Sequence, residues 1–361
     1  MLVAYVDDLL AAGVGAREEL LALSKTVEMT PPEPLSRLLG TYYKFDFDRA
    51  SSTWTVRLQM KDFLSSVVTR YEADPRTPKV SASVKTPSIV LNPQDFDNAK
   101  LQEPGVMKDK CASILMGLLY GARMARPDIQ YAIIFLSRFC SKWSVLADRM
   151  LHQLISYTKA TLDHELVGTV KLNQPLGLTA FSDADLGGCP LSSRSTSGGM
   201  LFITSDSGAC FPVDWWAKRQ CATSNSTAEA ETAALAKAVR DHVIPSELLL
   251  QELYDREVFA AVYDDSKACI LIARRGYSQA LRHCAKTHRL NIAQLGEFFA
   301  NGLRPLTYID TSLQVADVFT KGLTAPKMVT ACDLLGIVPK NGRRSRLVFE
   351  LSEGGVEEGS S

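Results

Sequence analysis

The spacing of apolar and polar positions divides the chain into regions of different period. Residues 2–6 form a short apolar run that leads into the acidic pair Asp7-Asp8, and residues 16–27 repeat with a helical period, Leu20, Leu21 and Leu23 opposing Glu18, Glu19 and Lys25. Alternation over 40–47 and 53–58, around the polar stretch 48–52, predicts a hairpin, and 60–71 predicts a helix. Residues 74–110 are rich in Pro, Ser and charge, as expected of a linker or an extended crossing segment. Apolar helices are expected over 112–124 and 129–141, with Pro127 placed where the second would start, and a more polar helix over 147–161. This helical region carries no obvious chemistry and reads as packing scaffold.

From residue 176 the period changes to that of strands. Three strand-like runs, 177–183, 199–204 and 211–218, are joined by turn-rich segments. A long helix from Thr227, a strand over 258–263, helical segments across 265–300, a strand over 305–309 and a short helix over 313–320 follow. The pattern predicts an α+β layer around one mixed sheet. The charged stretch 338–361, ending in Gly, Glu and Ser, is expected to fray.

Composition narrows the classes. At 361 residues, 46% hydrophobic, the chain can bury sizeable cores in two or three domains. Forty basic and forty acidic residues cancel, so a polyanion must be held by a local patch or through metal ions. No run approaches the ~18 apolar residues of a membrane span, and Asp7 and Asp8 interrupt the apolar N-terminal stretch, which argues against a signal peptide. The eight cysteines form no C-x-x-C pair, and with five histidines no closely spaced His/Cys motif is apparent. The expectation is reduced thiols and no zinc site.

Several acids sit where acids are not expected. Asp183 and Asp264 each end an apolar strand, where carboxylates point into the crevice above a sheet, although either could simply start a turn or cap a helix. Ser226-Thr227-Ala228-Glu229 fits a capping box, which explains Glu229. Glu231 shares a helical face with Ala234, Leu235 and Ala238, so unless it stays wet at the rim it needs a partner. A fourth acid, Asp317, lies among apolar neighbours in 314–321. Two carboxylates ~4 Å apart repel by roughly 4 kcal/mol at an effective dielectric near 20. Divalent cations relieve that repulsion, and oxygen-only ligands favour magnesium, with manganese as the alternative.

In order along the chain stand Phe181-Ser182-Asp183-Ala184-Asp185, Arg194-Ser195-Thr196-Ser197-Gly198, Trp216-Ala217-Lys218-Arg219-Gln220, Ser226-Thr227-Ala228-Glu229-Ala230-Glu231, Asp264-Asp265-Ser266-Lys267-Ala268 and Ala316-Asp317-Val318-Phe319-Thr320-Lys321. Together they resemble the ribonuclease H domain of copia-type LTR retrotransposon Pol polyproteins. Tyr5-Val6-Asp7-Asp8 resembles the catalytic hairpin of reverse transcriptases, and the Leu39-Gly40 turn and 117–132 resemble the segments joining polymerase to ribonuclease H. The resemblance covers nearly all of 1–325. It implies a multi-domain α+β chain: the end of a reverse transcriptase palm and thumb (1–75), a linker and helical connection (76–170), a ribonuclease H-like five-stranded mixed sheet with flanking helices (171–325) and a tail (326–361).

The resemblance also implies a function: cleavage of the RNA strand of RNA/DNA hybrids by water activated at two magnesium ions held by Asp183, Glu231, Asp264 and Asp317. It favours Asp183 over Asp185, and Asp264 with Asp265 as near competitor. Asp7 and Asp8 are matched to polymerase catalytic acids, but the palm's third metal-binding acid and its fingers have no counterpart here, so no DNA synthesis is expected. Ser195, Thr196, Ser197, Lys218 and Arg219 are candidates for contacts to the nucleic-acid backbone. His288 matches a family histidine and could assist product release or lie on the surface. The implied partners are an RNA/DNA hybrid and the rest of a Pol polyprotein or another reverse transcriptase chain, with no membrane. The implied location is cytoplasmic, in a retrotransposon particle, or nuclear. Two departures, Leu186 in place of Trp and the run 290–295 in place of a His-rich one, weaken any transfer of substrate contacts. Two rival readings are a non-catalytic retroelement remnant that at most binds nucleic acid, and a transposase or integrase with three acids.

Overall fold

In a computed structural model describing residues 1–343, most of the predicted periods become elements close to their expected bounds. The N-terminal part contains β1 (Leu2–Tyr5), β2 (Asp8–Ala11), α1 (Ala16–Leu23), β3 (Arg37–Leu38), β4 (Thr41–Asp48), β5 (Thr53–Gln59) and α2 (Lys61–Glu72). A short helix α3 (Pro93–Asp97) precedes three longer ones, α4 (Cys111–Met124), α5 (Gln130–Ser137) and α6 (Val145–Ala160). Then come β6 (Glu165–Lys171), β7 (Leu176–Ala184), β8 (Thr196–Ser205), β9 (Cys210–Arg219), α7 (Thr227–Ala238) and α8 (Ile244–Tyr254). The described chain closes with β10 (Ala260–Asp264), α9 (Lys267–Arg275), α10 (Cys284–Thr287), α11 (Ile292–Phe299), β11 (Leu306–Tyr308), α12 (Ala325–Leu335) and β12 (Ile337–Val338).

The expected five-stranded mixed sheet is present, in the order β11-β10-β7-β8-β9. Its β7, β8 and β9 are antiparallel, while β10 runs parallel to both β7 and β11. Both faces are covered, which explains why β7 is buried along almost its whole length. Leu178, Ala180, Leu201 and Trp216 pack with Leu235 and Ala238 of α7 and with Cys269 and Phe299 on one face. Phe181, Met200, Phe202 and Tyr263 join the core of the helical region, which includes Leu118, Ile133 and Leu154, on the other. The helices expected to be scaffold therefore form the floor under the mixed sheet. The helix from Thr227 runs on through a wide turn at Val239–Val243 into α8. Pro245 has no N–H to give to the preceding turn, so the widening relieves what would otherwise be a break.

A second sheet, β12-β6-β5-β4-β3, is antiparallel throughout. It corrects two expectations. The region 76–170 is not helical to its end, because β6 pairs with β5 along Thr53–Leu58. The presumed tail from 326 is structured at first, since α12 buries Met328, Leu334 and Leu335 and β12 pairs with β6. Residues 344–361 lie outside the described residues. The second sheet thus joins segments from all the expected units except the ribonuclease H-like core. The seven residues of β6 show no clear alternation, because their pairing is supplied by segments ~110 and ~170 residues away. Gly168 on β6 is needed for this packing: a Cβ there would stand 2.5 Å from the Phe211 ring and 2.8 Å from its Cα.

Arg126 and Asp128, read from sequence as a helix separator, make a buried ion pair instead. The guanidinium donates to both Asp128 oxygens at 2.8 and 2.7 Å and to the carbonyl and hydroxyl of Thr161 at 2.9 and 2.6 Å, and the Tyr157 hydroxyl donates to Asp128 at 2.9 Å. Removing one partner strands a desolvated charge. Arg126→Leu should lower the unfolding free energy by about 3–5 kcal/mol in urea titration, whereas a loss below 1 kcal/mol would show that Asp128 is readily neutralised.

Candidate functional site

Parallel pairing of β10 with β7 places Tyr263 opposite Phe181, and their rings stack 5.3 Å apart on one face. Side chains alternate along a strand, so Asp183 shares the face of Phe181, and Asp265 stands in the bend just after β10. Asp264, the last residue of β10, lies on the opposite face, the one that α7 covers. Its oxygens accept from the Ser182 hydroxyl at 3.3 Å and from Ser266 N–H at 2.9 Å, and it is fully buried. Glu231, on the first turns of α7, reaches the same sheet end. Oxygens of Asp183, Glu231 and Asp265 lie within 4.8 Å of one another. Asp265, the near competitor in sequence, thus joins Asp183 and Glu231, and Asp264 lies beside them, near enough to raise the Glu231 carboxyl.

Burial and mutual repulsion both act on this cluster. Burial first, then Asp317, pushes the Asp183 carboxyl up to about 7, against a partial offset from Lys321 and the Thr320 hydroxyl. Burial, then Asp183, Asp264 and Asp265, pushes Glu231 up to about 11. Asp264 rises to about 8, again mainly through burial. The Oε2 of Glu231 is buried and has no hydrogen-bond partner. An unpaired buried carboxylate oxygen among other carboxylates is costly, and a hard divalent cation answers both the charge and the empty lone pairs. A donor set of oxygens alone fits magnesium or manganese rather than zinc.

Asp317 lies beside this cluster but outside the set of three. It sits in the 3-10 turn Val315–Phe319, and Lys321 Nζ lies 2.7 Å from its Oδ1, so its charge is already balanced. Burial raises its pKa, and Lys321 opposes the rise. Thr320, from the same segment, donates its hydroxyl to Asp183 Oδ2 and fixes that carboxylate. Asp185 is turned away and accepts from the backbone N–H of Thr196.

The expected contacts to nucleic acid separate into two groups. Ser195, Thr196 and Ser197 are buried, and each hydroxyl oxygen accepts a hydrogen bond from within the chain, from Gly187 N–H, the Arg138 guanidinium and the Gln220 amide. They are corrected from surface contacts to internal ties, because the strand beginning at Thr196 is central rather than at the sheet edge. Lys218 and Arg219 are exposed at the end of β9 and border a cavity of about 430 Å³ with Lys237, Arg240 and Arg289. His288 also borders it, but its side chain is buried against Glu229 at 3.2 Å, so it is not a surface histidine. Asp7 lies in the turn between β1 and β2 and Asp8 opens β2. Both are exposed, and among the described residues neither joins a metal-capable cluster.

An uncharacterised mitochondrial protein of Arabidopsis thaliana is 27% identical over 238 residues, 65% of this chain and 90% of its own length. The retrovirus-related Pol polyprotein from transposon TNT 1-94 of Nicotiana tabacum is 26% identical over 348 residues, covering 93% of this chain, and that from transposon RE2 of Arabidopsis thaliana is 23% identical over 338 residues, covering 92%. Over nearly its whole length the chain is similar to retrovirus-related Pol polyproteins of plant transposons. It spans 24% and 21% of the length of those two polyproteins. No family model matches it. Among solved structures, the ribonuclease H1 LC11 in complex with an RNA/DNA hybrid aligns with 40% of this chain and 93% of its own, at 14% identity and a TM-score of 0.27. Among the described residues no helix is long and apolar enough to cross a membrane.

Proposed function

We propose that the chain cleaves the RNA strand of RNA/DNA hybrids in a magnesium-dependent reaction at Asp183, Glu231 and Asp265. The observation that carries this reading is the convergence of three carboxylates, one with an unpartnered buried oxygen, at the end of two parallel strands. Divalent cations held there would activate water and stabilise the leaving oxygen of a phosphodiester. Thr320 fixes Asp183, while the pairing of Asp317 with Lys321 leaves the site less negative than four free acids would. Lys218 and Arg219, exposed at the end of β9, would meet phosphates, and discrimination of RNA from DNA would rest on the 2′-hydroxyl. Asp7 and Asp8 are read as a hairpin without polymerase function in this chain, since among the described residues they join no group of three ligand-bearing side chains.

A labelled RNA/DNA hybrid incubated with the purified chain in magnesium should be cut in its RNA strand, and chelator should abolish the cut. A DNA duplex should stay intact, and a primed RNA template should not be extended. Binding of the hybrid without turnover, by protein shown to be folded, would support the remnant reading instead.

A further inference from the structure

A second polar cluster lies on the outer side of the first turn of α7. Glu229 Oε1 is 3.0 Å from His283 Nε2 and 3.5 Å from Cys284 Sγ, and that Sγ is 3.7 Å from the same His283 nitrogen. The Ser226 hydroxyl caps the helix by accepting from Glu229 N–H, but the Glu229 side chain reaches past the cap, its other oxygen accepting from Asn225 N–H at 2.9 Å. Ligands at ~2.0–2.3 Å from one tetrahedral ion stand roughly 3.3–3.7 Å apart, so these three edges are close to those of a zinc coordination face. Glu229 and Cys284 are almost fully buried, whereas the His283 side chain is 41% exposed, which leaves a fourth position open to water.

We propose that Glu229, His283 and Cys284 form a zinc site, separate from the magnesium cluster, that ties the segment 277–290 to the start of α7. The donor set supports this: one nitrogen, one sulfur and one carboxylate oxygen are borderline-soft, and select zinc over magnesium. Supporting contacts are in place, since Asn225 N–H holds the far oxygen of Glu229 and His288 Nε2 stands 3.2 Å from the near one. On binding, the Cys284 thiol gives its proton to solvent and a thiolate–metal bond forms, so affinity rises with pH. Glu231 lies two residues beyond Glu229 on the same helix, so the site would brace the helix that carries an acid of the proposed catalytic cluster. The sequence expectation of no zinc site rested on the lack of a closely spaced motif, and Glu229 and His283 stand 54 residues apart.

The purified full chain, freed of metal and titrated with cobalt, should show a thiolate-to-cobalt charge-transfer band and bind one ion that zinc displaces and excess magnesium does not. Cys284→Ser should remove the band, and His283→Ala, at a partly exposed position, should weaken zinc binding at least about tenfold. Asp183→Asn and Cys221→Ser should leave both unchanged. Absence of the band in folded wild-type protein, or its persistence in Cys284→Ser, would overturn the site and show a hydrogen-bonded cluster only. Because Asp183→Asn abolishes cleavage while sparing zinc, failure of the nuclease reading and failure of this one are told apart.

Discussion

Asp265→Asn should lower hybrid cleavage in magnesium by at least about a hundred- to a thousandfold, as should Asp183→Asn and Glu231→Gln, because each removes charge aimed at the reacting phosphate. Asp264→Asn should cost less than about tenfold, because an amide can keep the bond to Ser266 N–H while Asp265 still completes the set with Asp183 and Glu231. The two neighbouring acids therefore separate the geometry from the motif. Initial rates on a labelled hybrid, with circular dichroism to show that each variant is folded, decide the matter. If Asp264→Asn silenced the chain while Asp265→Asn did not, the strand register described here would not be the one used in catalysis.

The metal-free protein should lose stability as pH rises, and magnesium should restore it. In the unfolded chain Asp183 and Glu231 release their protons near pH 4. In the folded chain Asp183 holds its proton to about 7 and Glu231 to about 11, chiefly because of burial. Between these limits the unfolded state binds fewer protons, so unfolding becomes easier with increasing pH, by up to about 1.4 kcal/mol per pH unit for each group. The contribution is complete below about pH 4 and, for Asp183, is lost as pH passes through about 7. Magnesium at a hundred times its dissociation constant should return about 2.7 kcal/mol at pH 8 and far less at pH 5, where protons occupy the site. Glu231→Gln should raise the melting temperature in chelator at pH 8 and flatten the pH profile while abolishing cleavage. Thermal melts at several pH values, with magnesium or chelator, check this. A wild-type melting temperature in chelator that rose from pH 5 to pH 8 would contradict the repulsive cluster.

Much of the fold was legible because most elements carry their own period. The alternation of β4 and β5, the apolar stripe of α7 and the Ser226 cap are local patterns that need no distant partner to be read. Asp183 and Glu231 were legible for a related reason: each is a charge at the end of an otherwise apolar pattern. β6 and β12 were not, since a seven-residue strand containing a glycine and a two-residue strand have too little pattern of their own. The serine and threonine hydroxyls at 195–197 were misplaced because polarity does not reveal whether a hydroxyl faces water or another part of the chain. The Glu229, His283 and Cys284 cluster was not legible because Glu229 already had a local explanation as part of a helix cap and its neighbours stand 54 residues or more away in sequence.

The amino-acid pattern alone determined the α+β class, the order of the strands and helices along the chain, and the acids able to carry charge-based chemistry. Tertiary structure decided which acid of the Asp264-Asp265 pair meets Asp183, that Lys321 balances Asp317, and that α12 and β12 close the second sheet. The physical reason is range. Periodicity and capping are set within a few residues, whereas strand register, charge pairing and burial arise from contacts between segments tens to hundreds of residues apart.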